Sequence, residues 1–392
     1  MDQLLPGQTR RTFLRRTAAA TAAMVSSGLV RANSPAPGVL KAAVIGHTGR
    51  GDYGHGLENI FAGRKDIAAV AVADPDELGR KRVAAKIGAP QSYADYREML
   101  RRERPQLVSV AMRHGDRHHE IIGECLRAGA HVYSEKPFVT APNEADELLS
   151  LAQKSELRIA VAHTMRMMPI MVRLRQAVRE GLIGDLVQMR AHGKQDPRAG
   201  GEDMMVLGSH LFDLMRMFAG NPITCSARVL HDGREITRDD RRIVKDNVGY
   251  VAGNEVFAQI AFASGTQATF TSTAKLRETL GHWGIELLGS KGAARINCDI
   301  SPNVFVRHPG EWSAKGKSDV WEPFEPAVVQ APPEHNLGPV GDWLNAIATN
   351  REPECSGRNG AWAVEMVCAV YASALTKTQV PFPLAPRTHP LA

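Results

Sequence analysis

Short apolar runs closed by glycine or by acidic turns alternate with stretches of helical spacing through the first part of the chain. Lys41 to Gly46 (KAAVIG) reads as a strand entering a turn, and Gly46, Gly49, Gly51, Gly54 and Gly56 follow in quick succession. Leu57 to Ala62 is expected to continue as a helix. Further buried strands are predicted at Ile67 to Ala73, Leu107 to Met112, His131 to Ser134 and Ile159 to Ala162. Helical spacing lies between them at Glu77 to Ile87, Tyr93 to Leu100, His119 to Ala128 and Ala145 to Lys154. Fully apolar strands alternating with amphipathic helices predict a parallel sheet covered on both faces.

Beyond Ala162 the pattern changes. A helix is predicted over Pro169 to Glu180, then strands over Leu186 to His192, Ile223 to Leu230, Asn247 to Phe262, Gln267 to Ala274, Trp283 to Leu288 and Ala293 to Asn297. Glycine and polar turns between them fit antiparallel hairpins, with a helix over Ser209 to Ala219. Residues 302–333 carry no period and read as loop. Amphipathic helices over Val340 to Thr349 and Ala361 to Lys377 close the chain. The fold class is therefore α/β plus α+β: a parallel-sheet domain over 39–162 and an antiparallel sheet domain over 163–392.

The first residues change the compartment. Thr9-Arg10-Arg11-Thr12-Phe13-Leu14-Arg15 precedes an apolar run, Thr17 to Val30, well short of the roughly 20 residues that span a bilayer. Twin arginines, a short apolar core and a small-residue exit near Ala32 resemble a twin-arginine (Tat) export signal, so 1–32 reads as a leader, 33–38 as a linker, and the destination as periplasmic or secreted. Five leader arginines against Asp2 carry four of the chain's +6 net charge. With aromatics at 6% and no basic stripe left, nucleic-acid binding has little support, and no later apolar run is long enough to anchor the chain. Cys125, Cys225, Cys298, Cys355 and Cys368 are odd in number and widely spread. They imply neither a disulfide framework nor a metal site.

Three stretches carry chemistry. Gly46-His47-Thr48-Gly49-Arg50-Gly51 follows a strand, where bare backbone amides can approach a pyrophosphate, and Asp74 ends the next strand where a ribose diol would lie. Its charge would repel a 2'-phosphate, so NAD is expected over NADP, which stays open. Glu135-Lys136-Pro137 ends the fourth strand, on the edge where parallel sheets gather ligands. His210 and Asp213 lie three apart on a helix; His210 suits proton transfer, and Asp213 can orient it. His114, His118 and His119 lack companions for a metal site, and they are expected to line the cleft with Arg113. Arg166 is a candidate for a substrate hydroxyl or carboxylate.

Together the glycine turn, Ala128 to Pro137 (AGAHVYSEKP) with His118, Arg166 to Pro169, Gly181-Leu182-Ile183-Gly184 and Gly208 to Asp213 (GSHLFD) resemble the Gfo/Idh/MocA oxidoreductases over residues 39–385. The resemblance implies NAD(P), hydride transfer at a sugar or polyol carbon, Lys136 near nicotinamide and substrate, a histidine acid or base, and an oligomer built through the second sheet. Glu135, Lys136 and Arg113 are then cofactor contacts, while Arg166, Asp213, His118 and Glu202 are substrate contacts. Many relatives carry Asp four residues before the histidine, where this chain has Val206. Either Glu202 or Asp203 substitutes, or this branch does something other than simple alcohol oxidation.

Two functions are expected: a sugar oxidoreductase that keeps and recycles its NAD, because free NAD is scarce outside the cytoplasm and the Tat route exports folded proteins; or an NAD-dependent glycoside hydrolase working by transient oxidation and elimination.

Overall fold

The computed structural model describes residues 38–299, 301–308, 320–325 and 336–392. The predicted leader and nearly all of the linker lie outside the described residues.

The first sheet holds six parallel strands: β1 (Leu40–Ile45), β2 (Ile67–Ala73), β3 (Gln91–Tyr93), β4 (Leu107–Val110), β5 (His131–Ser134) and β6 (Ile159–Val161), in the order β3-β2-β1-β4-β5-β6. The order reverses beside β1, which opens a crevice at the carboxyl ends of the strands. Helices α1 (Glu77–Ile87), α2 (Tyr96–Glu103), α3 (His118–Arg127) and α4 (Pro142–Lys154) cover the faces. Asp76 and Asp95 cap α1 and α2 by accepting from Gly79 and Arg97 amides, which offsets the unpaired donors of a first turn.

The helix expected over Leu57 to Ala62 shrinks to a single 3-10 turn, Leu57–Asn59. Gly49, Gly51, Asp52, Gly54 and Gly56 all have positive φ, so the turn itself extends up to Leu57 and leaves only a short right-handed segment after it. The apolar residues that suggested a helix are buried without one. Leu57, Ile60 and Phe61 join a core with Trp343, whose ring stands 5.7 Å edge-on from Tyr133.

After α5 (Pro169–Arg179) the second sheet begins with β7 (Leu186–His192). A helical stretch follows: a turn at Gly201–Asp203, a π-helical segment at Met204–Gly208, and α6 (Ser209–Ala219). The sheet continues with β8 (Pro222–His231), β9 (Glu255–Phe262), β10 (Gln267–Thr273), β11 (Gly284–Gly289), β12 (Gly292–Asn297) and β13 (Asn303–Arg307). Its order is β13-β12-β11-β7-β10-β9-β8, extended by two-residue strands at Glu322–Pro323 and Val380–Pro381. All these neighbours are antiparallel except β7 and β10, which run parallel, so the sheet is mixed rather than purely antiparallel. The long strand expected over Asn247 to Phe262 breaks around Gly253, and β13 lies within the stretch expected to be loop.

Helix α7 (Leu337–Ala348) and helix α8 (Gly357–Thr376) close the chain. Helix α8 is buried along most of its length and packs on β8, α6, α4 and β6. It therefore ties the two sheets into one unit. Among the described residues no helix is long and apolar enough to cross a membrane, and all five cysteines are buried with free thiols.

Candidate active site

Strand β5 delivers Glu135 and Lys136 to the edge of the parallel sheet, beside a cavity of about 240 Å³. Lys136, 7% exposed, donates from Nζ to the main-chain carbonyl of Val206 at 3.0 Å. That carbonyl belongs to the π-helical segment before α6, where the wider turn frees backbone acceptors. Burial pushes the Lys136 ammonium below the ordinary lysine range, against the opposing pull of Glu135.

His210 on α6 lines the same cavity. Desolvation of its ring, aided by the charges of Lys136 and His163, pulls its imidazole well below the usual range, so it is neutral at neutral pH. Its Nδ1 has no hydrogen-bond partner among the described residues, and neither does either nitrogen of His163. The two imidazoles meet edge-to-face at 5.4 Å, and Trp283 flanks His210 at 6.3 Å.

Several expected contacts lie elsewhere. Asp213 does not orient His210; its Oδ1 accepts from Arg166 Nε at 2.9 Å, both side chains being buried, and Arg166 also reaches Glu354. Two buried charges satisfy one another, because either left alone would carry a large desolvation cost. Neither borders the cavity. His118 is fully buried between the carbonyl oxygens of Pro137 and Met112, at 2.7 and 2.8 Å. It braces the turn after β5 instead of facing the cleft. Asp203 is fixed by Ser272, Lys194 and Gln195. Glu202, whose carboxyl is raised by burial and by Asp246, is absent from the cavity wall. Val206 is thus replaced by no carboxylate, and its own carbonyl holds Lys136.

The glycine turn lies at the end of β1. His47 bridges back to Asp52, and Gly49 N donates to Asp52 Oδ1. A Cβ on Gly51 would stand 2.8 Å from the amides of Arg113 and His114, so that glycine allows the loop to press onto the end of β4. Arg50 pairs with Asp116, and Arg113 Nε reaches the Gly51 carbonyl at 3.4 Å. Asp74, at the end of β2, is fully buried. Its Oδ2 accepts from Thr48 N (2.9 Å), Thr48 Oγ1 (2.7 Å) and Tyr53 OH (2.8 Å), and its Oδ1 from Asp76 N (2.9 Å). The Tyr53 ring lies against Gly46, where a Cβ would stand 2.2 Å from it. A dinucleotide fits this chain at the β5 end, where the cavity is open and lined by Lys136 and His210. At the β2 end the carboxylate expected to face a ribose is engaged by the protein's own loop, with Thr48 and Tyr53 on Oδ2 and the Asp76 amide on Oδ1.

Three residues of this region were not expected from sequence. Tyr53 sits between glycines and gave no apolar period. His55 and Asn336 line the cavity from segments far apart in the chain. The glycines flanking His55 were its one available signal. Among the described residues no group of three or more His, Cys, Asp or Glu is placed to hold a metal.

Residues 40–163 match the family description "Oxidoreductase family, NAD-binding Rossmann fold" of Gfo/Idh/MocA proteins, and residues 175–382 match its C-terminal alpha/beta domain. An uncharacterized oxidoreductase of Schizosaccharomyces pombe is 29% identical over 35% of this chain, which spans 40% of that relative's length. The inositol 2-dehydrogenase of Rhizobium meliloti is 24% identical, covering 86% of this chain and 98% of its own. Among solved structures, the aldose-aldose oxidoreductase of Caulobacter crescentus superposes with a TM-score of 0.68 at 17% identity, over 88% of this chain and all of its own.

Proposed function

Because this chain belongs to the Gfo/Idh/MocA family of oxidoreductases, with its NAD-binding Rossmann fold, we propose that it moves hydride between NAD and a carbon-bound hydroxyl of a sugar or sugar derivative in the cavity at the end of β5. One observation carries the reading: Lys136 and His210, from the two halves of the chain, line one cavity. Bound NAD supplies the hydride acceptor in one direction and the donor in the other. Lys136, held by Val206 and low in proton affinity, hydrogen-bonds the reacting oxygen. His210, neutral, fixes that oxygen from the other side.

The cofactor stays bound and is restored within each cycle. The enclosed Asp74 supports slow exchange, the likeness to the aldose-aldose oxidoreductase of Caulobacter crescentus supports a sugar at both ends of the cycle, and the twin-arginine leader supports export in folded form. The carboxylate of Asp74 favours NAD over a 2'-phosphate. Exposed Val187, Ile223 and Phe257 on the second sheet support an oligomer through that sheet.

A second reading, redox-neutral cleavage of a glycoside, is favoured by the lack of a carboxylate at Val206 and by a second imidazole, His55, on the cavity. Absorbance at the reduced nicotinamide band separates the two. Free sugars should produce lasting reduction until an acceptor sugar is added, whereas glycosides turned over with no net reduction would support cleavage. If Lys136→Ala retains all sugar-dependent turnover, both readings fail.

A further inference from the structure

Beside Lys136 and His210 the cavity holds a hydrogen-bonded pair, His55 and Glu135. His55 sits between Gly54 and Gly56, both of positive φ. A Cβ on Gly54 would stand 2.6 Å from the Ala111 carbonyl and 2.8 Å from Glu135 Cγ. The missing side chain is what lets this loop lie on the end of β5 and bring His55 to Glu135. Their side chains are hydrogen-bonded, His55 Nδ1 to Glu135 Oε1, while Glu135 Oε2 accepts from the Lys136 amide at 2.8 Å.

Exposure within the pair is unequal. The Glu135 side chain is 1% exposed and that of His55 is 42% exposed. Burial works to raise the Glu135 carboxyl, but the His55 hydrogen bond and the charges of His55 and Lys136 outweigh it and hold the group below the usual range. It is therefore an ionised carboxylate behind an imidazole. The loop is pinned from across the cavity, since Asn336 donates to the His55 carbonyl at 3.3 Å and accepts from Tyr133 OH at 2.8 Å. His55, Lys136 and His210 line one cavity.

A carboxylate at one imidazole nitrogen fixes the tautomer and orientation of the ring, leaving the other nitrogen to exchange a proton. His210 is poorly suited to keep one, being desolvated beside Lys136. No carboxylate stands at position 206. Resting on the hydride-transfer reading, we propose that His55 is the acid and base of the reaction and Glu135 its positioning residue. In the oxidising direction the substrate O–H bond breaks and its proton passes to His55 Nε2. The C–H hydride leaves to oxidised nicotinamide, and the C–O bond becomes C=O. Glu135 stays ionised throughout, and His55 returns the proton to solvent or, in the reducing direction, to the new alkoxide.

The test uses full-length protein with NAD and the sugar that changes the nicotinamide band. His55→Gln should lower the single-turnover rate at neutral pH by about a hundredfold or more, leave NAD affinity by calorimetry and the melting temperature within error, and lose the acidic limb of the pH profile. Added imidazole should restore part of the rate in His55→Ala. Independently of turnover, the NMR spectrum of the NAD-free protein should show a downfield His55 Nδ1 proton that vanishes in Glu135→Gln. An unchanged rate and acidic limb in His55→Gln overturns the assignment alone, as does a rate loss fully matched by lost NAD affinity or by unfolding without imidazole rescue. Absence of any sugar-dependent change in the wild type overturns the functional reading and this assignment with it.

Discussion

The ammonium of Lys136 donates to the main-chain oxygen of Val206, 3.0 Å away, across the boundary between the parallel sheet and the helix that carries His210. A backbone carbonyl has no titration of its own. The lysine is therefore oriented without a carboxylate hydrogen-bonded to its ammonium, and burial outweighs the pull of Glu135 and depresses its proton affinity.

The pH dependence follows from that sign. A depressed lysine gives up its proton below the pH at which an exposed one does, so a step in which the ammonium hydrogen-bonds the reacting oxygen falls with rising pH along an alkaline limb shifted to the acid side, distinct from the acidic limb of His55. Val206→Asp should move that limb to higher pH, because the new charge favours the ammonium. Lys136→Arg, fixed in charge, should abolish it with at least a hundredfold loss of rate. The pH profile of single-turnover hydride transfer checks both.

Tyr53 donates to Asp74, so a ribose hydroxyl bound there is expected to compete with it. Tyr53→Phe keeps the ring on Gly46 but frees one acceptor site on Asp74 Oδ2. A hydrogen bond to a charged group contributes about 1.5 to 3 kcal/mol. NAD should accordingly bind about tenfold to a hundredfold tighter and associate faster in the variant, as read by calorimetry and stopped-flow fluorescence. Equal affinity and rate would show that Tyr53 does not compete.

The ion pair between Arg166 and Asp213 is structural. Asp213→Asn leaves a buried guanidinium without its closest countercharge, and removing one partner of a buried pair costs about 3 to 5 kcal/mol. Denaturant unfolding should show a loss of that order. The cavity residues Lys136 and His210 should keep their NAD-dependent properties in whatever fraction remains folded.

Acid sensitivity should be traceable to His389. Its Nδ1 accepts from the Leu391 amide at 3.1 Å, so it is held neutral, and burial pushes its imidazole down to about 4. The folded value lies below the unfolded one, near 6.5. The unfolded chain thus binds more protons between these values, and stability falls as pH drops from about 6.5 to about 4, by roughly 3 kcal/mol for this group. His389→Gln should flatten unfolding free energy against pH in that window while lowering stability at pH 7.

Local pattern was enough for five of the six strands of the parallel sheet, for α6 and for Lys136 at a strand end, but not for the three-residue β3, whose Tyr93 was expected to open a helix. Apolar continuity and helical spacing are properties of neighbouring residues, and the edge at which a parallel sheet gathers ligands follows from strand direction. The glycine turn was legible as a turn, but not its path: positive φ at five positions from Gly49 to Gly56 carries the chain to a single 3-10 turn where a helix was expected.

What only the tertiary structure decided is partnership. Asp213 looked like a companion for His210 because three residues on a helix share a face, yet Arg166, 47 positions earlier, reaches it first. His118 looked like a cleft residue and is consumed by two carbonyls. His55 looked like a spacer between glycines until the fold laid it against Glu135, 80 positions away. The sequence by itself determined the elements and the edge where chemistry gathers. Which charges meet in a low-dielectric interior depends on packing between distant segments, and there a buried group must find whichever partner the fold brings within hydrogen-bond reach.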